Sequence, residues 1–285
     1  MRAERRRPDF LGIGAQRAAT TWIHACLYEH PQIFMPAAKE VHFFSQCYSK
    51  GANWYEEQFD DCRPDRLAGE ISPDYLYAPE AAERIRDWNP NVKLFACLRN
   101  PVDRAVSAYR YFINQGPIPQ CQSFDDALAE NPERLLGRGF YAAQLERFLK
   151  YFSREQILIL IYEDIAADPY RFIQDIYCFL GVDSMFRPSK ALRKINSSIG
   201  IAKYPSLYWL PRLLAAYFQK AKMGHLVWTV ARSRLRELID RLAVPQPINQ
   251  PLSEARRAEL IQSYAPDVRA LEQLLQRDLR GVWFD

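Results

Sequence analysis

Short apolar runs alternate with stretches of helical period along this chain, and the alternation organises everything that follows. Phe10, Leu11 and Ile13, interleaved with Gly12 and Gly14, predict a short buried strand. A small-residue loop comes next, Ala15, Ala18 and Ala19 around Arg17, and Thr20 and Thr21 open a helix. Leu67 to Gly69 reads as another short strand with Glu70 at its end. Val92 to Leu98, VKLFACL, predicts a further strand that stops at Arg99, Asn100 and Pro101, before a helical pattern through Ser107 and Tyr111. Tyr141 to Phe152 has apolar residues at helical spacing, Gln156 to Tyr162 is a clear strand, and Pro169 to Leu180 returns to helix, closed by Gly181. The expected fold is α/β: three layers, α/β/α, with a central parallel sheet and a phosphate-binding loop of P-loop type.

Ser206 to Leu242 is rich in Leu, Trp and Tyr with interspersed basic residues, and Pro211 and Gly224 divide it into at least two helices. It is expected to form a helical insertion or lid at about 204–245, with a dimer surface, an interfacial membrane helix and plain packing on the sheet as alternatives. Leu252 to Leu279 predicts an amphipathic helix, after which Trp283 reads as a structural anchor. No Gly/Ser-rich or Pro-rich linker divides the 285 residues, so residues 1–285 are expected to form a single domain. A hydrophobic share of 48% and an aromatic share of 13% suffice for its core.

The net charge of +4 is mild. It suits a local site for an anionic ligand and, without a basic stripe of interleaved aromatics, argues against nucleic acid as a partner. No segment reaches the roughly 18 apolar residues of a membrane span. The charged first ten residues lead into no apolar core of the kind a secretion signal needs, so a cytoplasmic location is expected. The six cysteines are scattered, and no Cys, His or acidic grouping has metal-ligand spacing, so no metal is expected.

The chemistry concentrates at two predicted strand ends. At Gly14–Thr21 the free N–H groups and dipole of a helix start favour a phosphate or sulfate. The Walker A pattern is only half met: Thr20 stands where that motif needs lysine, and the cation has moved inside the loop as Arg17. Arg99 marks the second strand end, at the sheet edge where α/β ligands bind. Two anion-ready strand ends suit a nucleotide with phosphate groups at two places.

GAQRAATT, KEVHFF at Lys39 to Phe44, GEISPDYLY at Gly69 to Tyr77 and LRNPVDRAVSAY at Leu98 to Tyr109 together resemble the sulfotransferases, and the heparan sulfate type of domain and its bacterial relatives in particular. The likeness runs from about Pro8 to Gly181. It implies an enzyme that takes a sulfuryl group from 3'-phosphoadenosine 5'-phosphosulfate (PAPS) as co-substrate and passes it to a hydroxyl or amine. It makes Arg17, Ala18, Ala19, Thr20 and Thr21, followed by Trp22, the residues around the 5'-phosphosulfate. Arg99 and Ser107 become the clamp on the 3'-phosphate, with Tyr141, and less directly Arg138, near the nucleotide. Arg193, Lys194 and Asn196 resemble a basic loop that closes over the 3'-phosphate. The family loop more often has lysine and glycine at the positions of Arg17 and Ala19. Arginine keeps the charge, whereas a methyl group at Ala19 costs about 1 kcal/mol if the backbone there is left-handed.

An in-line transfer rests on positioning and cations, which falls to Arg17 and Lys39. It also needs a base for the acceptor's proton. The resemblance points to Glu70, with His42 second; His24 and His30 read as structural. The acceptor is expected to be a small molecule, glycan or lipid, with the greasy 206–242 segment favouring apolar character. A nucleotide kinase with a degenerate phosphate loop and a non-catalytic nucleotide-binding scaffold are the alternatives.

Overall fold

The computed structural model describes residues 6–119, 122–193, 201–202, 245–246 and 252–284. Lys194, Asn196, Cys121 and the helical segment expected at 206–242 lie outside them. By its internal contacts the chain divides into two units.

The first unit comprises Met1–Arg104, Leu136–Asn196 and Ala258–Asp285. Its centre is a parallel sheet of β1 (Phe10–Gly14), β2 (Ile33–Phe34), β3 (Leu67–Ile71), β4 (Lys93–Leu98) and β5 (Ile157–Ile161), in the order β2-β3-β1-β4-β5. The central position of β1 explains its composition, because a parallel strand with neighbours on both sides and helices on both faces has no polar face to offer. All five of its residues are buried. Phe10 pairs with Gly69 on one side and Lys93 on the other. A Cβ at Gly69 would lie 2.3 Å from the Phe10 ring, so glycine is what lets β3 pass that close.

The crossovers of this unit carry α1 (Thr20–Glu29), α2 (Ala52–Glu56) and α3 (Ala81–Trp88). α4 (Pro101–Gln115) leaves from the end of β4. Asn100 starts it, its Oδ1 accepting the N–H groups of Val102 (2.9 Å) and Asp103 (3.2 Å). After α7 (Tyr141–Leu149) and β5 come α8 (Asp164–Ala167) and α9 (Pro169–Leu180). α9 is capped by Asp168 and closed by Gly181 at φ 83°. The final helices are α10 (Glu254–Leu275) and α11 (Arg280–Trp283). α7 is one turn shorter than its apolar period, because Ser153 and Gln156 form a capping box that opens the next turn instead.

The second unit comprises Ala105–Leu135 and Ser197–Arg257. It holds α5 (Phe124–Glu130), started by the Ser123 side chain, α6 (Pro132–Leu135), and a two-residue antiparallel pair, β6 (Ile201–Ala202) with β7 (Pro245–Gln246). No helix among the described residues is long and apolar enough to cross a membrane.

Candidate active site

β1 delivers the chain at Gly14 to the loop that precedes α1. A Cβ at Gly14 would come within 2.7 Å of the Leu76 Cβ, so the loop's entrance closes directly on the segment after β3. Ala15 N–H is held by the Cys97 carbonyl of β4 at 2.7 Å, and Ala18 N–H by the Ala15 carbonyl at 3.2 Å. Arg17 (φ 73°) and Ala19 (φ 58°) are both left-handed. The cost that the sequence left open at Ala19 is therefore present, about 1 kcal/mol. Ala19 occupies the N-cap position of α1 without a side-chain oxygen to cap it. The first turn of α1 thus keeps its outward N–H groups for an anion, with the hydroxyls of Thr20 and Thr21 beside them.

Trp22, expected among the donor-binding residues, belongs to the core instead. It is 6% exposed, its indole N–H donates to the Ala191 carbonyl at 3.3 Å, and its ring meets Phe172 of α9 edge-on.

At the end of β4, Arg99 reaches back to this loop, its guanidinium donating to the Arg17 carbonyl at 3.3 Å and lying 4.5 Å over the Tyr162 ring. Its Nε is buried with no protein partner. Tyr141 is fully buried and donates to the Arg99 carbonyl at 2.9 Å, so it braces the backbone of Arg99 and has no hydroxyl to spare for a nucleotide. The next residue is held as firmly. Asn100 N–H donates to Glu163 (3.0 Å) and its side-chain amide to the Trp283 carbonyl, while the Trp283 indole donates to the other Glu163 oxygen at 2.9 Å. Trp283 is the anchor the sequence suggested. Arg138 is engaged elsewhere, in an ion pair with Asp74 and over the Tyr77 ring. Arg193 is exposed, and Ser107 is a buried residue of α4 within the second unit.

The acid–base candidates divide sharply. Glu70, in β3, is 0% exposed. Its Oε1 accepts from the hydroxyls of Tyr75 (2.6 Å) and Tyr55 (3.4 Å), and its Oε2 from that of Ser72 (2.7 Å). Burial pushes its carboxyl up to about 7 against the pull of those hydrogen bonds and of His42. That affinity suits a base, but no oxygen is left open to an acceptor; geometry comes before pKa in choosing one. The carboxylate that does face solvent is Glu40, 36% exposed in its side chain. It pairs with Lys39 and, at 3.3 Å, with His42 Nε2. Burial would raise its pKa, but the His42 hydrogen bond and Lys39 hold it at about 2.

His42 is drawn toward its charged form despite desolvation, by Glu40, Asp74 and Glu70. Asp74 Oδ2 lies 3.9 Å from His42 Nδ1. Lys39 and Glu40 also act electrostatically on His24, in the first turns of α1, whose imidazole burial and Lys39 lower to about 4. The 39–42 segment therefore lies close enough to His24 of α1 to act on its charge.

Residues 7–203 match the family model described as a sulfotransferase domain. The chain belongs to that family. Its sulfotransferase domain is 31% identical over 206 residues to the bifunctional heparan sulfate N-deacetylase/N-sulfotransferase 4 of Mus musculus, a match covering 65% of this chain and 23% of the relative. It is 30% identical over 183 residues to the human heparan sulfate glucosamine 3-O-sulfotransferase 6, covering 62% and 53%. The chain thus spans about a quarter and about half of the length of these curated relatives. Among solved structures, a sulfotransferase from Alicyclobacillus acidocaldarius superposes with a TM-score of 0.72 at 28% identity, covering 98% of this chain and 100% of that one.

The sequence reading named Arg17, Thr20, Thr21, Lys39, His42 and Arg99 as candidates, and placed the Gly14–Thr21 loop and Arg99 at strand ends. It missed Glu40, Ser72, Asp74, Asn100 and Glu163. For Glu40 a signal existed: it stands between Lys39 and His42 in the motif already singled out.

Proposed function

We propose that the chain is a sulfotransferase that moves a sulfuryl group from PAPS to a hydroxyl or amine. The observation that carries the reading is the loop between β1 and α1: left-handed at Arg17 and Ala19, uncapped at the helix start, and crossed by Arg99 with an unpartnered buried Nε. The backbone donors at the helix start answer an anionic phosphosulfate, and the Arg99 guanidinium beside the loop answers a second anionic group of the same ligand. The missing Walker lysine speaks against a triphosphate.

When bound, the donor supplies an activated sulfuryl group. Arg17, Thr20, Thr21 and the first N–H groups of α1 hold and polarise it. Arg99 takes the 3'-phosphate. Glu40 accepts the acceptor's proton, and His42 and Lys39 keep it ionised and oriented. Lys39 is one of the causes that hold Glu40 near 2. A Lys39 drawn toward the donor's charge leaves Glu40 a stronger base at the moment it is needed. Two relatives are named for heparan sulfate or its glucosamine, which supports a sugar acceptor here.

Incubation with PAPS and a panel of amino sugars and alcohols tests this, with release of adenosine 3',5'-bisphosphate as the readout. Glu40→Gln should slow release by about 10²–10⁴-fold, the usual share of a general base, while bisphosphate binding stays within a factor of about two. Unimpaired turnover in that variant removes Glu40 from the role.

A further inference from the structure

Glu70 is a fully buried carboxylate in a strand, and the mechanism above gives it no contact with substrate. Three hydroxyl hydrogens converge on it, from Tyr55, Tyr75 and Ser72. Only an acceptor-only group answers all three, which an ionised carboxylate does and an amide does not. The Ser72 hydroxyl, having given its one hydrogen to Glu70, turns a lone pair to the N–H of His42 at 2.9 Å. Ser72 is itself fixed, its own N–H donating to the Gly12 carbonyl of β1 at 3.0 Å.

The far end of that connection is the one backbone position in the 39–42 segment that resists its conformation. His42 is left-handed, φ 55°, which an L residue adopts only when its surroundings hold it. Its carbonyl accepts from Gln46 and Cys47, both at 2.9 Å, and its N–H is held by Ser72 alone in the hydrogen bonds described. The imidazole that follows from this backbone is the group paired with Glu40.

We propose that Glu70 is a positioning residue: acting through the Ser72 hydroxyl, it locks the left-handed backbone of His42 and so aims the Glu40–His42 pair. The inference rests on the reading of Glu40 as base, and deepens it. The high proton affinity that burial gives Glu70 means that the lock weakens as pH falls below about 7, when a proton on the carboxylate competes with the hydroxyls around it. The titratable groups facing it are Tyr55, Tyr75 and His42.

The test is steady-state and single-turnover kinetics of Ser72→Ala, Glu70→Gln and the double variant at pH 8.5, with bisphosphate affinity by calorimetry. Each single variant should lower kcat by about tenfold, the worth of one buried hydrogen bond, with KM and bisphosphate affinity within about twofold. The double variant should be no slower than the worse single, because both cut the same connection. Ser72→Ala removes one oxygen and carries the test alone if Glu70→Gln does not fold. Full kcat in Ser72→Ala overturns the proposal. Loss of about 10³-fold in Glu70→Gln with an unaffected Ser72→Ala makes Glu70 the base itself and overturns both readings. The expected pattern together with an active Glu40→Gln removes Glu40 as base and leaves the lock on His42 standing.

Discussion

The phenol of Tyr141 donates to the carbonyl oxygen of Arg99 at 2.9 Å, tying the first residue of α7 to the loop that ends β4. Burial raises the Tyr141 phenol far above its ordinary range, so it remains a donor at any working pH. One residue on, the Asn100 amide is held by the Trp283 carbonyl and its N–H by Glu163. The backbone under Arg99 is braced by α7, by Glu163 and by the turn at Trp283, while the guanidinium reaches the Arg17 carbonyl in the loop between β1 and α1.

Arg99→Ala should weaken binding of adenosine 3',5'-bisphosphate by about 10- to 100-fold, the worth of a charge-assisted hydrogen bond to phosphate. Tyr141→Phe, which loosens the backbone and leaves the charge, should weaken it by well under tenfold. Calorimetric titration of both variants checks the order. Equal affinity in Arg99→Ala and wild type would exclude Arg99 from the phosphate site.

Trp283→Ala removes an indole that is 4% exposed, its hydrogen bond to Glu163 and its contact with Tyr141. The expected loss is about 3–5 kcal/mol of stability, read from urea unfolding. Bisphosphate affinity should fall as well, because Glu163 and Asn100 lose their partner.

The pH dependence of stability has a defined sign at Glu70. Its carboxyl is raised from 4.5 to about 7, so between those values the folded state keeps a proton that the unfolded chain has released. Its share of the stability is complete below about 4.5 and is lost as pH rises through about 7. Relative to Glu70→Gln, wild type should lose about 3 kcal/mol across that window. His24, lowered to about 4, has the opposite sign below pH 6.5, and comparison of the two proteins cancels it. Parallel pH profiles for wild type and variant would mean that Glu70 is ionised in both states.

Much of this molecule is legible in its sequence, where local chemistry decides the outcome. Pro169 and Gly181 bound α9 where turn and cap rules put the ends, and the apolar runs read at 10–14 and 92–98 fall on the central strand β1 and its neighbour β4. Misreadings occur where a face had to be chosen. Glu70 looked like a strand-end charge, yet β3 lies in a parallel sheet covered on both sides, so its carboxylate turns into the interior and needs Tyr55, Tyr75 and Ser72 to receive it. Ser72 and Tyr75 stand in the same GEISPDYLY motif as Glu70, but Tyr55 is distant in sequence and no spacing announces it. Trp22 follows Thr21 directly but falls on the α1 face that meets α9. Asn100 and Glu163 act through residue 283, a partner only the folded chain brings near.

The central claim is a donor site for a 3'-phosphorylated adenosine anion, and calorimetric titration with adenosine 3',5'-bisphosphate beside ATP with magnesium tests it most directly. Micromolar binding of the bisphosphate, with ATP at least about 100-fold weaker, is the predicted result, since Arg99 answers a 3'-phosphate and no Walker lysine answers a γ-phosphate. Tight magnesium-dependent ATP binding with feeble bisphosphate binding would contradict the account and make the loop that of a nucleotide kinase.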